Sequence, residues 1–216
     1  MKARTFRVDL PLTSLALLAF VIGGCGAKRV PNDVLEKLPY ESRIELLEAE
    51  NELALAVDHL DEAGNEVSRT RDAIRRAKDR RSSAKDEVGD AKDVSSREVS
   101  QLAVEEADAR VEFLRARQQV NVANEDLQEI ELSCARERFE LARVNVARKA
   151  KVKGSEGLSP ESFEKQVKSC EADVAAHRKE IKEKQQKAEL AKTDWEKRRT
   201  VLARKTFDAR ASPYVE

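Results

Sequence analysis

Apolar residues recur every seven positions along most of this chain. From Leu46 to Val144, twelve of the fifteen positions reached by seven-residue steps are apolar. A second stripe, rich in alanine from Ala49 to Ala91, lies between them and completes the alternation of three and four residues that a coiled coil requires. The pattern predicts one continuous helix over residues 41–151, about 165 Å long at 1.5 Å per residue.

A second helix is predicted after a short interruption. Gly154 and Gly157 break the pattern, so we expect a loop over residues 152–159. Ser159 and Pro160 then supply an N-cap residue and a first-turn proline. Apolar residues return at steps of three and four, which predicts a helix over residues 160–208 and a frayed tail over residues 209–216.

The predicted fold is all-α, a long antiparallel coiled-coil hairpin whose second helix covers less than half of the first. The uncovered seam of the first helix therefore needs a partner, and its apolar positions are Leu46, Leu53, Leu60, Val67 and Ile74. That partner is a second copy of the chain, another helical protein, or the same chain if the first helix breaks near residues 89–96.

Such a break produces the alternative fold, a three-helix antiparallel bundle. Ser95 and Glu98 would then form a capping box at the start of the middle helix. We favour the unbroken helix, because the seven-residue phase continues across the candidate break.

The N-terminal 25 residues have a different character. Three basic residues precede an uncharged run, Leu10 to Ile22, which is too short to span a bilayer as a helix. This is the layout of a signal peptide, here residues 1–24. It ends in Ile22-Gly23-Gly24-Cys25, which resembles the lipobox of bacterial lipoproteins. The resemblance implies cleavage before Cys25 and acylation of that residue.

The resemblance also implies a location. Acyl chains on Cys25 would hold the protein at a membrane. Residues 25–40, with Pro31 and Pro39, are predicted to form an extended tether between the lipid and the helices. In this family an aspartate after the cysteine often marks retention at the inner membrane. The chain has Gly26 there, which favours the outer membrane, with the protein facing the periplasm.

The composition argues against catalysis. The chain has only two histidines and contains no glycine-rich phosphate loop, no GxSxG nucleophile elbow and no HExxH zinc motif. We therefore predict no catalytic residues, no metal site, no cofactor and no small-molecule substrate. The 41 Lys and Arg residues are balanced by 41 Asp and Glu residues, which leaves no broad basic face for nucleic acid.

Cys134 and Cys170 both occupy seam positions, and an oxidising envelope compartment permits a disulfide bond between them. The hairpin geometry opposes it. With the loop centred near residue 155, Cys134 lies opposite a residue near 177, about 10 Å along the axis from Cys170. A bond within the chain requires the first helix to end a turn or two earlier. The alternatives are a bond between chains and two free thiols.

The sequence predicts a lipid-anchored, non-enzymatic scaffold or tether of the cell envelope that associates with itself or with a helical partner. It broadly resembles the coiled-coil lipoproteins that link the outer membrane to the wall, although it ends in Glu216 rather than in a terminal lysine. Contact with the cell wall is a further expectation for the hairpin tip, far from the anchor, which carries Arg148, Lys149, Lys151 and Lys153. Compensation of the helix dipole explains these charges equally well.

The alternative function is that of a periplasmic holdase or assembly chaperone for outer-membrane clients. Such a protein would shield unfolded clients with its helical arms. It would need an apolar groove left open along the first helix.

Overall fold

The structure is a computed structural model that describes residues 29–207. These residues form two short helices, α1 (Asn32–Leu35) and α2 (Tyr40–Ile44), and three long ones, α3 (Leu47–Asp90), α4 (Val94–Lys149) and α5 (Pro160–Thr206). The described part of the chain contains no β-strand, so the all-α prediction is confirmed. α4 packs against α3 and against α5.

The first long helix is broken, which corrects the prediction of one helix over residues 41–151. α3 ends at Asp90, and Ala91 turns to an extended conformation with φ −65° and ψ 120°. α4 begins three residues later at Val94. The three-helix alternative is therefore the observed arrangement, and its break lies within the range of residues 89–96 that the sequence indicated.

A capping box starts α4, although not at the residues expected. The backbone N–H of Ser96 donates to Oδ1 of Asp93 at 2.8 Å, and the backbone N–H of Asp93 donates to Oγ of Ser96 at 3.3 Å. These two bonds satisfy backbone donors that have no partner within the helix. The box predicted at Ser95 and Glu98 is wrong by two residues.

α4 forms the centre of the molecule. Nineteen of its residues are buried, against six in α3 and six in α5, because α4 is covered from both directions while its neighbours each keep an outward face. The buried positions of α5 from Val174 to Leu202 follow strict steps of seven: Val174, Ile181, Ala188, Trp195 and Leu202. Such a repeat is typical of helices that supercoil around each other. α5 begins at Pro160, as predicted, and ends two residues before the expected position.

α3 and α5 both run antiparallel to α4. Near one end of α4, Lys149 Nζ lies 2.8 Å from Glu45 Oε1. Near the other end, Lys205 Nζ lies 2.9 Å from Glu98 Oε2. Because α4 is central, the described chain enters the bundle at one end and leaves it at the other.

The segment before α3 is not the extended tether predicted for residues 25–40. From Val30 onward it packs on the end of the bundle where α4 ends and α5 begins, and its buried residues share one cluster with residues of α4 and α5: Val30, Val34, Leu38, Phe139, Val144, Val146 and Phe163. Pro31 and Pro39 immediately precede α1 and α2. A proline is tolerated at a helix start because the N–H that it lacks has no helical partner there.

Candidate functional site

Cys25, the predicted lipid-attachment residue, lies outside the described residues, five positions before Val30. The position of Val30 is fixed by a buried hydrogen bond, in which its backbone N–H donates to Oε2 of Glu140 at 2.9 Å. Glu140 also accepts a 2.9 Å hydrogen bond from Arg143 Nη1. A buried carboxylate needs such donors to offset its lost hydration. The chain that follows Cys25 is therefore held against the side of α4.

An open groove of about 650 Å³ lies at this entry point, between the N-terminal segment and α4. Val30, Leu53 and Phe139 supply its apolar lining. Burial raises the pKa of Glu137, which also lines the groove, and the nearby charge of Glu140 raises it further. The groove thus combines apolar side chains with carboxylates, and the partial loss of water around Glu137 disfavours the charged form of that side chain.

The loop between α4 and α5 lies beside the N-terminal segment. A Cβ atom built on Gly154 would lie 3.3 Å from Cγ2 of Val34, and Gly154 has a φ of +100°. A side chain at this position would be both strained and crowded, which explains the glycine. The basic tip formed by residues 148–153 therefore lies at the same end of the molecule as the start of the described chain. The expected separation of this tip from the N-terminal part of the chain is not found for the described residues, because the break after Asp90 turns α4 back along α3.

The end of α4 is a Schellman motif that contains no glycine. The backbone N–H of Val152 donates to the carbonyl oxygen of Ala147 at 3.1 Å, and that of Lys151 donates to Arg148 at 3.0 Å. Lys151 takes the left-handed conformation, with a φ of 51°, which glycine usually occupies in this motif. The helix thus ends at Lys149, two residues earlier than the sequence suggested.

Cys134 and Cys170 form a disulfide bond in the structure, with their Cα atoms 5.6 Å apart. The bond joins α4 to α5 within one chain. The axial offset of about 10 Å expected from the hairpin is wrong, because the two helices pair about a centre near residue 152, midway between Cys134 and Cys170, and not near residue 155. Each residue of register shift moves a facing pair by about 1.5 Å.

The five predicted seam residues face α4 of the same chain. Leu46, Val67 and Ile74 are at most 7% exposed. Leu53 and Leu60 are half-buried and pack against a cluster that includes Leu132 of α4. The seam is therefore covered by α4 of the same chain, which is the third of the partners that the sequence left open. Folding α3 back onto α4 satisfies the apolar face that an unbroken helix would have left open.

A second open groove, of about 720 Å³, runs between α3 and α5, with Cys134 and Ala135 of α4 at its floor. Two ion pairs between α4 and α5 lie along it. Arg178 Nη2 is 2.7 Å from Glu131 Oε1, and Arg138 Nη2 is 3.2 Å from Glu171 Oε1. Because these charges pair with each other at the surface, they contribute little to stability. Within residues 29–207, no group of three or more His, Cys, Asp or Glu side chains is placed to hold a metal ion.

The sequence reasoning missed a polar contact inside the core. Trp195 Nε1 donates to Glu106 Oε1 at 2.7 Å, and both side chains are buried. Phe113 stacks on the indole with the ring centroids 5.5 Å apart, and the guanidinium of Arg110 lies over it at 5.2 Å. A signal was present, because Glu106 is the polar member of the α4 stripe between Val99 and Phe113.

Comparison of the chain with protein-family models, with curated proteins and with solved structures finds no match. None of the helices in residues 29–207 has a stretch of apolar residues long enough to cross a bilayer.

Proposed function

We propose that this protein is a lipid-anchored, non-enzymatic scaffold or tether of the cell envelope, attached through Cys25 to the periplasmic face of the outer membrane. The lipobox-like sequence at residues 22–25 supports the attachment. The observation that carries the proposal is the packing of Val30, Val34 and Leu38 onto one end of the three-helix bundle. A membrane anchor placed five residues earlier would hold the whole bundle by that end.

The dimensions of the bundle support a spacer. α4 has 56 residues and is about 84 Å long at 1.5 Å per residue. Its core is a line of small clusters between helices, and the described cavities are open grooves. Anchored at one end, such a rod would carry its far end, near Phe207, tens of ångströms from the lipid.

Association with a second copy or a helical partner is part of the proposal, but it does not use the α3 seam. α4 already covers that seam. The outward faces of α3 and α5 remain for contact, and they carry most of the exposed charged side chains of these helices. Contacts there would be polar and would weaken at high salt.

The chaperone alternative has no observation in its favour among the described residues. It required an apolar groove left open along α3, and α4 fills that position. The groove between α3 and α5 has apolar residues such as Leu55 and Val174 in its lining, but the two ion pairs between α4 and α5 interrupt them, so it offers no continuous apolar surface.

The lipid attachment is tested by replacing Cys25→Ser in the full chain. Expressed in a bacterium that processes lipoproteins, the variant should leave the membrane fraction and lose incorporation of labelled palmitate. A matched control replaces Cys134→Ser and Cys170→Ser together, which leaves Cys25 in place and should retain both properties. Membrane retention and labelling of the Cys25→Ser variant equal to those of the wild type would contradict the proposal.

The scaffold role is tested by crosslinking in cells. A photo-crosslinking amino acid at Leu190 on the outward face of α5, where the side chain is 73% exposed, should capture a defined envelope protein or a second copy. The same group at Val67, which is 2% exposed against α4, should crosslink only within the chain. Failure to capture any partner from a series of exposed sites along α3 and α5 would argue against a scaffold.

A further inference from the structure

We infer that the end of the bundle nearest Cys25 binds the membrane surface directly, through exposed apolar side chains of α2 and α3 and cationic side chains of the α4–α5 loop. The inference rests on the proposed lipid attachment. In addition to the acyl chains on Cys25, the folded protein itself would then contact the lipid headgroups.

The apolar part of this surface consists of Tyr40, Ile44 and Leu47. Their side chains are 75%, 50% and 51% exposed. Glu45 and Leu46, between α2 and α3, keep right-handed helical conformations, so the two helices stay in phase. Residues at positions i, i+4 and i+7 therefore lie on one face. That face points away from the core, because Leu46 and Ala56, on the opposite side of the helix, are buried.

The apolar face is confined to the anchored end of the molecule. Leu55, which is 55% exposed, is the last large apolar side chain on this side of α3. Farther along, the same side presents exposed charged residues, namely Asp58, Glu62, Arg69 and Arg76. A second helix packing lengthwise would need an apolar stripe over many turns. A flat lipid surface touched by one end of a rod needs only the few side chains that are present.

The short connection to Cys25 places this end near the lipid. Val30 follows Cys25 by five positions in the sequence, a length of at most about 18 Å when fully extended. Val30 is fixed by its hydrogen bond to Glu140, so the connection cannot lengthen without breaking buried packing. An acylated Cys25 would therefore hold the end of the bundle at the depth of the headgroups or just above them.

The charges of the segment between α4 and α5 favour anionic lipids, whereas the exposed Glu41 and Glu48 beside the apolar face oppose them. Residues 148–159 contain four basic residues and one acidic residue, Glu156. Arg148, Lys151 and Lys153 are exposed, whereas Lys149 is paired with Glu45. Basic side chains near a bilayer are attracted to its phosphate groups, and a tyrosine is well suited to the boundary between headgroups and acyl chains. A membrane surface is the partner that fits both features.

The test uses the fact that an introduced cysteine is the only reactive thiol in the mature protein, since Cys25 would be acylated and Cys134 is bonded to Cys170. Ile44→Cys is labelled with an environment-sensitive fluorophore in the acylated protein. That protein is then reconstituted on vesicles of phosphatidylethanolamine and phosphatidylglycerol. The label should shift its emission to shorter wavelength and be quenched by nitroxide-labelled lipids. The matched control is Leu190→Cys on α5, a 73% exposed apolar residue about 45 Å from the start of that helix, which should show neither effect.

The outcomes separate the inference from the proposal beneath it. If the protein floats with the vesicles but the label at residue 44 behaves like that at residue 190, the lipid contact is wrong and the attachment stands. If the label at residue 44 shifts but is not quenched by the lipids, and the shift grows with protein density, a second copy covers the face and the inference is overturned. If the protein does not float, the lipid attachment itself fails, and the inference falls with it.

Discussion

Trp195 on α5 donates the hydrogen of its indole Nε1 to Oε1 of Glu106 on α4 over 2.7 Å, and both side chains are buried. Elsewhere the two helices meet mainly through apolar residues, which tolerate small rotations. An indole N–H donates in a single direction, so this bond defines how α5 is rotated against α4. Its partner carboxylate replaces an apolar residue in the stripe between Val99 and Phe113.

Removing this contact should destabilise the protein. Glu106→Ala leaves the buried indole N–H without its acceptor and should lower the free energy of unfolding by about 1–3 kcal/mol. Trp195 is the only tryptophan, so its fluorescence reports urea unfolding from this position. The control is Glu105→Ala, whose exposed carboxylate lies 3.3 Å from Arg198 and whose loss should cost less than about 0.5 kcal/mol. Equal losses for the two variants would show that the buried bond has no special role.

The disulfide bond between Cys134 and Cys170 should add measurable stability. The two residues are 36 positions apart, and closing a loop of that length restricts the unfolded chain by about 3–4 kcal/mol. The double variant Cys134→Ala with Cys170→Ala should unfold at lower urea concentration by a corresponding amount. Reductant should destabilise the wild type and leave the double variant unchanged. A wild type insensitive to reductant, with free thiols at both positions by mass spectrometry, would refute the prediction.

The seam of α3 should matter for folding rather than for association. Ile74 is 7% exposed and packs in a cluster with α4 residues, so Ile74→Ala should lower the free energy of unfolding by about 2–5 kcal/mol. Val57→Ala is the matched control on the same helix, because Val57 is 42% exposed. Sedimentation velocity at a temperature where both variants are folded should give the same oligomeric state as the wild type. A selective loss of oligomer in Ile74→Ala with unchanged stability would indicate that the seam is an interface between chains.

The cap of α4 predicts a dependence on pH. The backbone N–H of Ser96 holds the pKa of Asp93 below its ordinary value of 3.8, because that bond favours the charged carboxylate. The stabilisation is therefore present above pH 3.8 and is lost as the pH falls through the lower pKa of the folded protein. Asp93→Ala should have a lower thermal midpoint than the wild type at neutral pH, and the difference should shrink in acid.

Asp93→Asn separates the cap from its charge. Asparagine is as good an N-cap residue as aspartate, so this variant should keep most of the stability at neutral pH and lose the acid-dependent part. If the difference between wild type and Asp93→Ala stays constant from neutral pH to below 3.8, the ionised cap is not its source.

The heptad pattern predicted the helical fold and the inward-facing residues, but not the reversal of the chain after Asp90. A seven-residue phase that continues through Val88, Ser95 and Leu102 is compatible with one helix, and it is equally compatible with two helices that pack against each other. The deciding signal was local. Asp93 and Ser96 form the cap of α4. Ala91 adopts an extended conformation, which an alanine in the sequence does not predict. The residues of the turn itself, 91–93, include no glycine or proline, and Gly89, the nearest breaker, lies inside the last turn of α3.

The register of α5 against α4 was missed for a related reason. The end of α4 depends on Lys151, a lysine in the left-handed conformation that is usually reserved for glycine, so the sequence placed the helix end too late. Two residues of helix correspond to about 3 Å, so the early end of α4 accounts for only part of the expected 10 Å offset between Cys134 and Cys170. Pro31 and Pro39 favour the prediction of an extended tether over short helices in the N-terminal segment, although Val30, Val34 and Leu38 follow the four-residue spacing of a buried helical face.

The up, down and up course of α3, α4 and α5 has a mechanical consequence. With the entrance at Val30 and the exit at Phe207 on opposite poles, tension applied between them would slide each helix lengthwise past its neighbour. All contacts along a seam would then share the strain together, instead of opening one after another as in a hairpin pulled from a single end. The Cys134–Cys170 bond would prevent α4 and α5 from sliding past each other, so the helices would separate first between α3 and α4.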